Sequence, residues 1–262
     1  MIRKHIITCT VILTLLVMAK VLVLKLPQTK KTSAEEAQTL AKNTVVAPVV
    51  TPVLKEEKPL KPKAKLNFAK ETLPVADARV KRKMKRYLAS YSYGKTQTNR
   101  LHRKAAEWFP VIEPILKAHG IPNDFKYMPL VESGFRDGTS PKGASGYWQF
   151  MPGTARSYGL KVNGRIDERK NLRKSTIAAC KYLNDLYDVF GSWTLVAAAY
   201  NVGDNHMKKQ INRQKQDNYY KMKLNRETGS YVYKLISMKE IVKNPSKHGY
   251  KESKTLLAYN AE

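Results

Sequence analysis

Acidic residues are scarce in this chain: 21 Asp and Glu stand against 48 Lys and Arg, a formal net charge of +27 over 262 residues. Such an imbalance draws the protein toward polyanions, and nucleic acid, anionic lipid and bacterial wall polymer all qualify. Zinc-ligand spacings, a Gly-rich phosphate loop and an aromatic-bearing strand pattern are all missing, which removes the usual devices for specific nucleic-acid binding. Cysteine is nearly absent too. Cys9 lies in a hydrophobic leader and Cys180 on the apolar stripe of a predicted helix, so a useful disulfide is excluded and Cys180 reads as a small buried hydrophobe. His102, His119, His206 and His248 have no Cys or carboxylate at metal spacing. No metal or cofactor is therefore expected. No period-2 alternation appears either, and the fold class expected is mainly α.

The N-terminus runs from a basic "MIRKH" into "IITCTVILTLLVMA", then Lys20 and "VLVL". This is the layout of an export signal with a poor cleavage site. The stretch 6–24 is also nearly long enough to stay in a bilayer, so residues 1–25 read as either a signal peptide or a membrane anchor. Residues 26–76, centred on "VAPVVTPVLKEEKPLKPKAK", are rich in Pro, Lys, Thr and Ala and are expected to form an extended linker. At ~3 Å per residue it would reach ~100 Å or more.

From residue 77 the pattern turns helical. "RLHRKAAEWFPVIEPILKAHG" places Leu101, Ala105, Trp108, Ile112, Ile115 and Leu116 on one face, with a bend or break expected at Pro110 and Pro114. Asn123 and Asp124 can cap a short helix that ends near Glu132. "LRKSTIAACKYLNDLYDVFG" is a strong helix stopped by Gly191, and Ser192 can cap the next one, "WTLVAAAYN". The last long helix is expected over roughly 227–242.

The most informative run is "LVESGFRDGTSPKGASGYWQFMPGTARSYGL", residues 130–160. Glu132 ends an apolar stretch (Tyr127, Met128, Pro129, Leu130, Val131), where loss of hydration raises a carboxyl pKa toward neutrality, as a general acid requires. Tyr200 and Asn201 follow in "TLVAAAYN", and Glu227 and Tyr231 in "RETGSYVYK". Together they suggest a sugar-cleaving site. Cleavage of a glycosidic bond needs an acid for the leaving oxygen and, commonly, a second carboxylate about 5 to 9 Å away. Asp137 and Glu227 are the candidates for that second group, although Asp137 beside Gly138 also suits a turn.

In order along the chain, E-S-G-F, S-P-x-G-A-S-G, Q-F-M-P-G-T-A, A-A-Y-N and R-E-T-x-x-Y-V resemble the lytic transglycosylase (SLT) domain of the murein transglycosylases, which share the goose-type lysozyme core. The layout is most similar to the D-type membrane-bound members. The resemblance covers roughly 101–250, within a domain expected over 77–250 (core 101–245) and followed by a tail, 251–262. Wall-binding repeats are not expected after the matching stretch.

The resemblance implies an enzyme that cleaves the β-1,4 bond from N-acetylmuramic acid to N-acetylglucosamine without water and leaves a 1,6-anhydro end. Glu132 falls on the family's acid, which acts first as acid and then as base. Tyr200 falls on the tyrosine that hydrogen-bonds the acid. Ser140, Gln149, Met151, Asn201 and Glu227 fall on cleft positions, and Trp148 suits either sugar stacking or core packing. Ser140, beside Pro141, suits either a polar sugar contact or loop shaping. The implied partner is the peptidoglycan glycan strand in the cell envelope, with the basic surface suited to anionic membrane or wall polymer and no specific nucleic acid. Two departures stand out. "VGDNHM" follows Tyr-Asn, and Tyr147 precedes Trp148 where an aliphatic is usual. Both bear on the sugar subsites, and the altered "VGDNHM" loop keeps open a peptidoglycan-binding protein without turnover; a goose-type lysozyme-like hydrolase, with Asp137 or another carboxylate positioning a water, is the other reading.

Overall fold

The computed structural model describes residues 65–134 and 138–251. The expectations for the leader, for the linker up to residue 64, for Asp137 and for the tail beyond residue 251 lie outside the described residues. What is described begins earlier than the helical pattern suggests. Residues 65–76, assigned above to the linker, are folded: strands β1 (Asn67–Phe68) and β2 (Glu71–Thr72) pair antiparallel, with Phe68 and Leu73 buried. The loop between them is Ala69–Lys70, both at positive φ (49° and 67°). Tight hairpin turns of this kind usually announce themselves with Asn or Gly. Here tertiary contacts hold the turn instead. Asp124 accepts a hydrogen bond from the Ala69 amide (2.7 Å) and one from Lys239 Nζ (2.6 Å), and the Phe68 ring meets Phe125 at 5.0 Å.

The rest of the described chain is helical. Helix α1 is Ala78–Tyr91, N-capped by Asp77, and α2 is the short Tyr93–Thr96. Helix α3, Arg100–Ala118, runs unbroken through Pro110 and Pro114. The two prolines are four residues apart and both exposed, so the backbone carbonyls they release from helical bonding lie on a face that water can reach. A 3₁₀ turn (Asn123–Tyr127) leads into α4 (Met128–Glu132). Asp124 does not cap this pair, since its carboxylate is committed to the hairpin and Lys239. A Gly-rich loop then reaches α5 (Pro152–Ser157). The long α6 (Leu172–Phe190) ends at Gly191 in the left-handed conformation, φ 63°. Helices α7 (Trp193–Val202), α8 (Asp204–Gln214) and α9 (Thr228–Lys243) complete the order, so "VGDNHM" runs from the last residue of α7 across Gly203 into the first turn of α8.

Helix α7 is apolar all round, and Leu195, Val196 and Ala197–Ala199 are buried. It packs against α6, α8 and α9 as a central member of the bundle. Its N-terminus is closed by a residue far away in sequence. Ser192 occupies the cap position but makes no side-chain cap bond; the carboxylate of Glu71 accepts from the amides of Trp193 and Thr194 and from the Ser192 hydroxyl. A charge at that end of the helix satisfies donors that would otherwise be orphaned. Glu71→Ala is expected to cost about 1–2 kcal/mol of stability, read as a lower urea midpoint, and Glu71→Gln less.

Candidate functional site

Helix α4 is one and a half turns long, and its last residue is Glu132. Met128, Pro129 and Leu130 anchor the helix in the core, which sets Glu132 at the edge of a groove of about 650 Å³. The walls come from three places. Ser140, Pro141, Lys142, Ala144, Gln149 and Met151 belong to the Gly-rich loop, Tyr200, Asn201 and Val202 to the end of α7, and Asn225, Glu227 and Thr228 to the entry of α9.

Glu132 is enclosed by protein atoms and keeps only part of its edge open. Loss of hydration pushes its pKa up to about 7. A hydrogen bond from Tyr231 and the positive charge of Lys234 oppose that rise, and Glu227 adds to it. Tyr231, buried in α9, donates its phenolic O–H to Glu132 Oε1 in a short bond. The tyrosine on the acid is therefore Tyr231. The expectation that Tyr200 makes this bond is corrected: its hydroxyl donates to the Trp148 carbonyl at 2.8 Å, tying α7 to the loop. Tyr200 still lines the groove, and burial first, with the Glu132 carboxylate second, holds its phenol well above the usual range.

Trp148 is fully buried, and its indole N–H donates to Thr176 Oγ1 at 3.0 Å. It packs edge-on to Tyr200 and is absent from the groove wall, so of its two sequence roles the structure leaves core packing and corrects its placement among sugar contacts. Ser140 lines the groove while its hydroxyl oxygen accepts from the Ala144 amide (3.0 Å), so it also shapes the loop. Gln149 sits at φ 48° and donates to the carbonyls of Gly138 and Gly146 (3.2 and 2.8 Å). Met151 is 45 % exposed on the wall. Asn201 donates to Glu227 Oε1 (3.3 Å) and accepts from the Thr228 hydroxyl (3.1 Å), which knits α7 to the entry of α9.

Motif reading missed the residue that fixes the loop. Arg169, nearly buried, donates through Nη1 to the carbonyls of Gly143 and Phe150 (2.8 and 2.9 Å), and Asp167 holds its guanidinium by two further bonds. Gly146 passes so close that a Cβ there would lie 1.9 Å from the Arg169 carbonyl oxygen, and its φ is +77°. Only glycine fits. Among the described residues no group of three or more His, Cys, Asp or Glu is placed to hold a metal.

A desolvated glutamic acid at the edge of a groove, hydrogen-bonded by a phenol, is equipped to give and take a proton near neutral pH. Residues 109–223 match the family model of the transglycosylase SLT domain. It is 33% identical over 177 residues to the membrane-bound lytic murein transglycosylase D of Escherichia coli K12 and equally to that of strain O6:H1, an alignment covering 65% of this chain and 38% of each relative. This chain thus spans well under half the length of those relatives. A solved structure of an inactive mutant of the lytic transglycosylase Slt from Pseudomonas aeruginosa overlaps 53% of this chain and 24% of its own, at 21% identity and a TM-score of 0.40. The SLT match ends before Glu227, Thr228 and Tyr231, which the fold brings to the site from beyond it.

The partners of the two tyrosines make distinct predictions. Tyr231→Phe removes a bond that favours the carboxylate, so the Glu132 pKa, followed by carboxyl-carbon NMR, should rise further. Tyr200→Phe should leave it in place. Because the folded pKa (about 7) lies above the ordinary glutamate value of 4.5, the native state binds more protons than the unfolded chain between those values. Stability therefore falls as pH rises through that window, by about 3 kcal/mol once both states are ionised. Glu132→Gln should be no more stable than wild type near pH 4 and gain on it by about that amount near pH 8, read from urea unfolding.

Proposed function

We propose that this protein is a peptidoglycan lytic transglycosylase that cleaves the bond from N-acetylmuramic acid to N-acetylglucosamine and closes the muramyl residue into a 1,6-anhydro end. The observation that carries this reading is the state of Glu132: a carboxyl group pushed up to about 7, with a phenol committed to Oε1. That donor leaves Oε2 to carry the transferable proton. In the first step Oε2 protonates the glycosidic oxygen as the C1–O bond breaks, and the departing sugar keeps the proton as a hydroxyl. In the second, the muramyl O6 hydroxyl bonds to C1 and its proton passes to the Glu132 carboxylate, which restores the acid. A pKa near the operating pH serves both steps. The O–H of Tyr231 stabilises the intermediate carboxylate, and Ser140, Gln149, Met151, Asn201 and Glu227 line the path of the strand. The family match and the membrane-bound relatives support the substrate class and a place in the cell envelope.

A second reading rests on Glu227. It lines the same groove, raises the Glu132 pKa and is held by Asn201, so it could position a water for hydrolysis by an inverting or retaining route. Mass spectrometry of digested sacculi separates the two. The proposal expects anhydro-muramyl ends, lighter by one water than the reducing ends a hydrolase leaves, and purely reducing products would refute it. Glu132→Gln should lower the rate roughly 10²–10⁴-fold while the protein still pellets with sacculi.

A further inference from the structure

A second cavity, of about 470 Å³, opens between α1 and the segment that precedes α9. Four cations of α1, Arg79, Arg82, Lys83 and Arg86, face it at i, i+3, i+4 and i+7, and Lys221 and Lys223 face it from the other side. No carboxylate lines it. Asp77 pairs with Arg79 at 3.0 Å, and Lys83 is held to the Gly229 carbonyl at 2.6 Å. Arg82, Arg86, Lys221 and Lys223 are exposed with no carboxylate bound to them among the described residues. Like charges at helical spacing repel, and six around one hollow leave a cost that an anion would relieve. Surface attraction alone does not require a hollow with an aromatic floor, yet Tyr233 lies beneath the rim, its ring 5.0 Å from Lys83 Nζ.

The geometry points to a phosphate-binding site through which this domain docks on the headgroups of an anionic phospholipid membrane. The guanidinium groups of Arg82 and Arg86, which have no carboxylate partner among the described residues, present paired N–H donors that match phosphate oxygens, and four α1 cations span seven residues, about 10 Å, enough to engage more than one headgroup. Tyr233, Tyr220 and Met222 supply the mixed apolar and polar lining that suits the glycerol level of a bilayer. The lipid source is favoured over a soluble phosphate by position in the chain. Helix α1 is the first helix described, and upstream of it the sequence carries the basic linker and the apolar run 6–24, either of which would hold the site close to a membrane. The lining segment continues into Asn225, Glu227 and Thr228 of the groove, so docking would fix the orientation of the groove as well.

The test uses the full chain and reads binding, so its outcome is independent of whether the groove turns over substrate. Co-sedimentation is compared with vesicles of phosphatidylcholine alone and of phosphatidylcholine with phosphatidylglycerol, because an apolar N-terminal segment would favour neither. The expected result is a preference for the anionic vesicles that falls about a hundredfold in the triple variant Arg82→Ala, Arg86→Ala, Lys221→Ala, roughly fivefold per cation. The control variant Lys161→Ala, Arg165→Ala, Arg173→Ala, with exposed cations outside the cavity, should keep it. An equal loss in the control would mean diffuse attraction and overturn the site. Absence of any preference for phosphatidylglycerol overturns membrane docking too. If Lys221 and Lys223 side-chain NMR signals then shift to saturation with glycerol phosphate, the hollow serves a soluble phosphate instead.

Discussion

The carboxyl of Glu132 and the phenol of Tyr231 meet across 99 residues of sequence, and the arrangement of the site follows from that contact. A buried carboxyl left alone would rise in pKa until it could no longer serve as a base, while a well-hydrated one would stay ionised and fail as an acid. Burial raises Glu132 and one phenolic hydrogen bond pulls it back, which holds it at about 7. The fold must therefore keep α9 against α4 with little play. It does so through a central apolar helix, α7, whose end supplies Tyr200 and Asn201 and ties the entry of α9 to the groove.

Stability and site chemistry pull in opposite directions here. Forcing a carboxyl into a position that prefers it neutral costs the folded state free energy at neutral pH, a cost found where function requires strain. Other contacts offset it. The hairpin at 67–72 binds three parts of the fold at once: Asp124 and Phe125 of the 3₁₀ turn, Lys239 of α9, and, through Glu71, the amides that open α7. The Gly-rich loop is held by Arg169 and by the absence of a side chain at Gly146.

Much of this was legible in the chain. Helical spacing located α3, α6, α7 and α9 to within a residue or two, Gly191 marked the end of α6, and the apolar stretch before Glu132 marked a carboxyl about to lose its hydration. The short order of motifs indicated the SLT domain, and the family match over 109–223 agrees. The hairpin escaped notice because Ala69 and Lys70 fill a turn that usually needs Asn or Gly, inside a composition that otherwise reads as linker. Two prolines suggested a break in α3, but both lie on its exposed face.

Residue order alone thus determined the helices, the charge and the place of a carboxyl that loses its hydration, because periodicity and local hydration are properties of neighbours along the chain. Which tyrosine reaches that acid, which carboxylate closes α7 and whether Trp148 faces a groove or the core were decided only by tertiary packing. Tyr200 and Tyr231 are equivalent as phenols in the sequence. A hydrogen bond depends on a few tenths of an ångström between helices that meet only after the chain has folded.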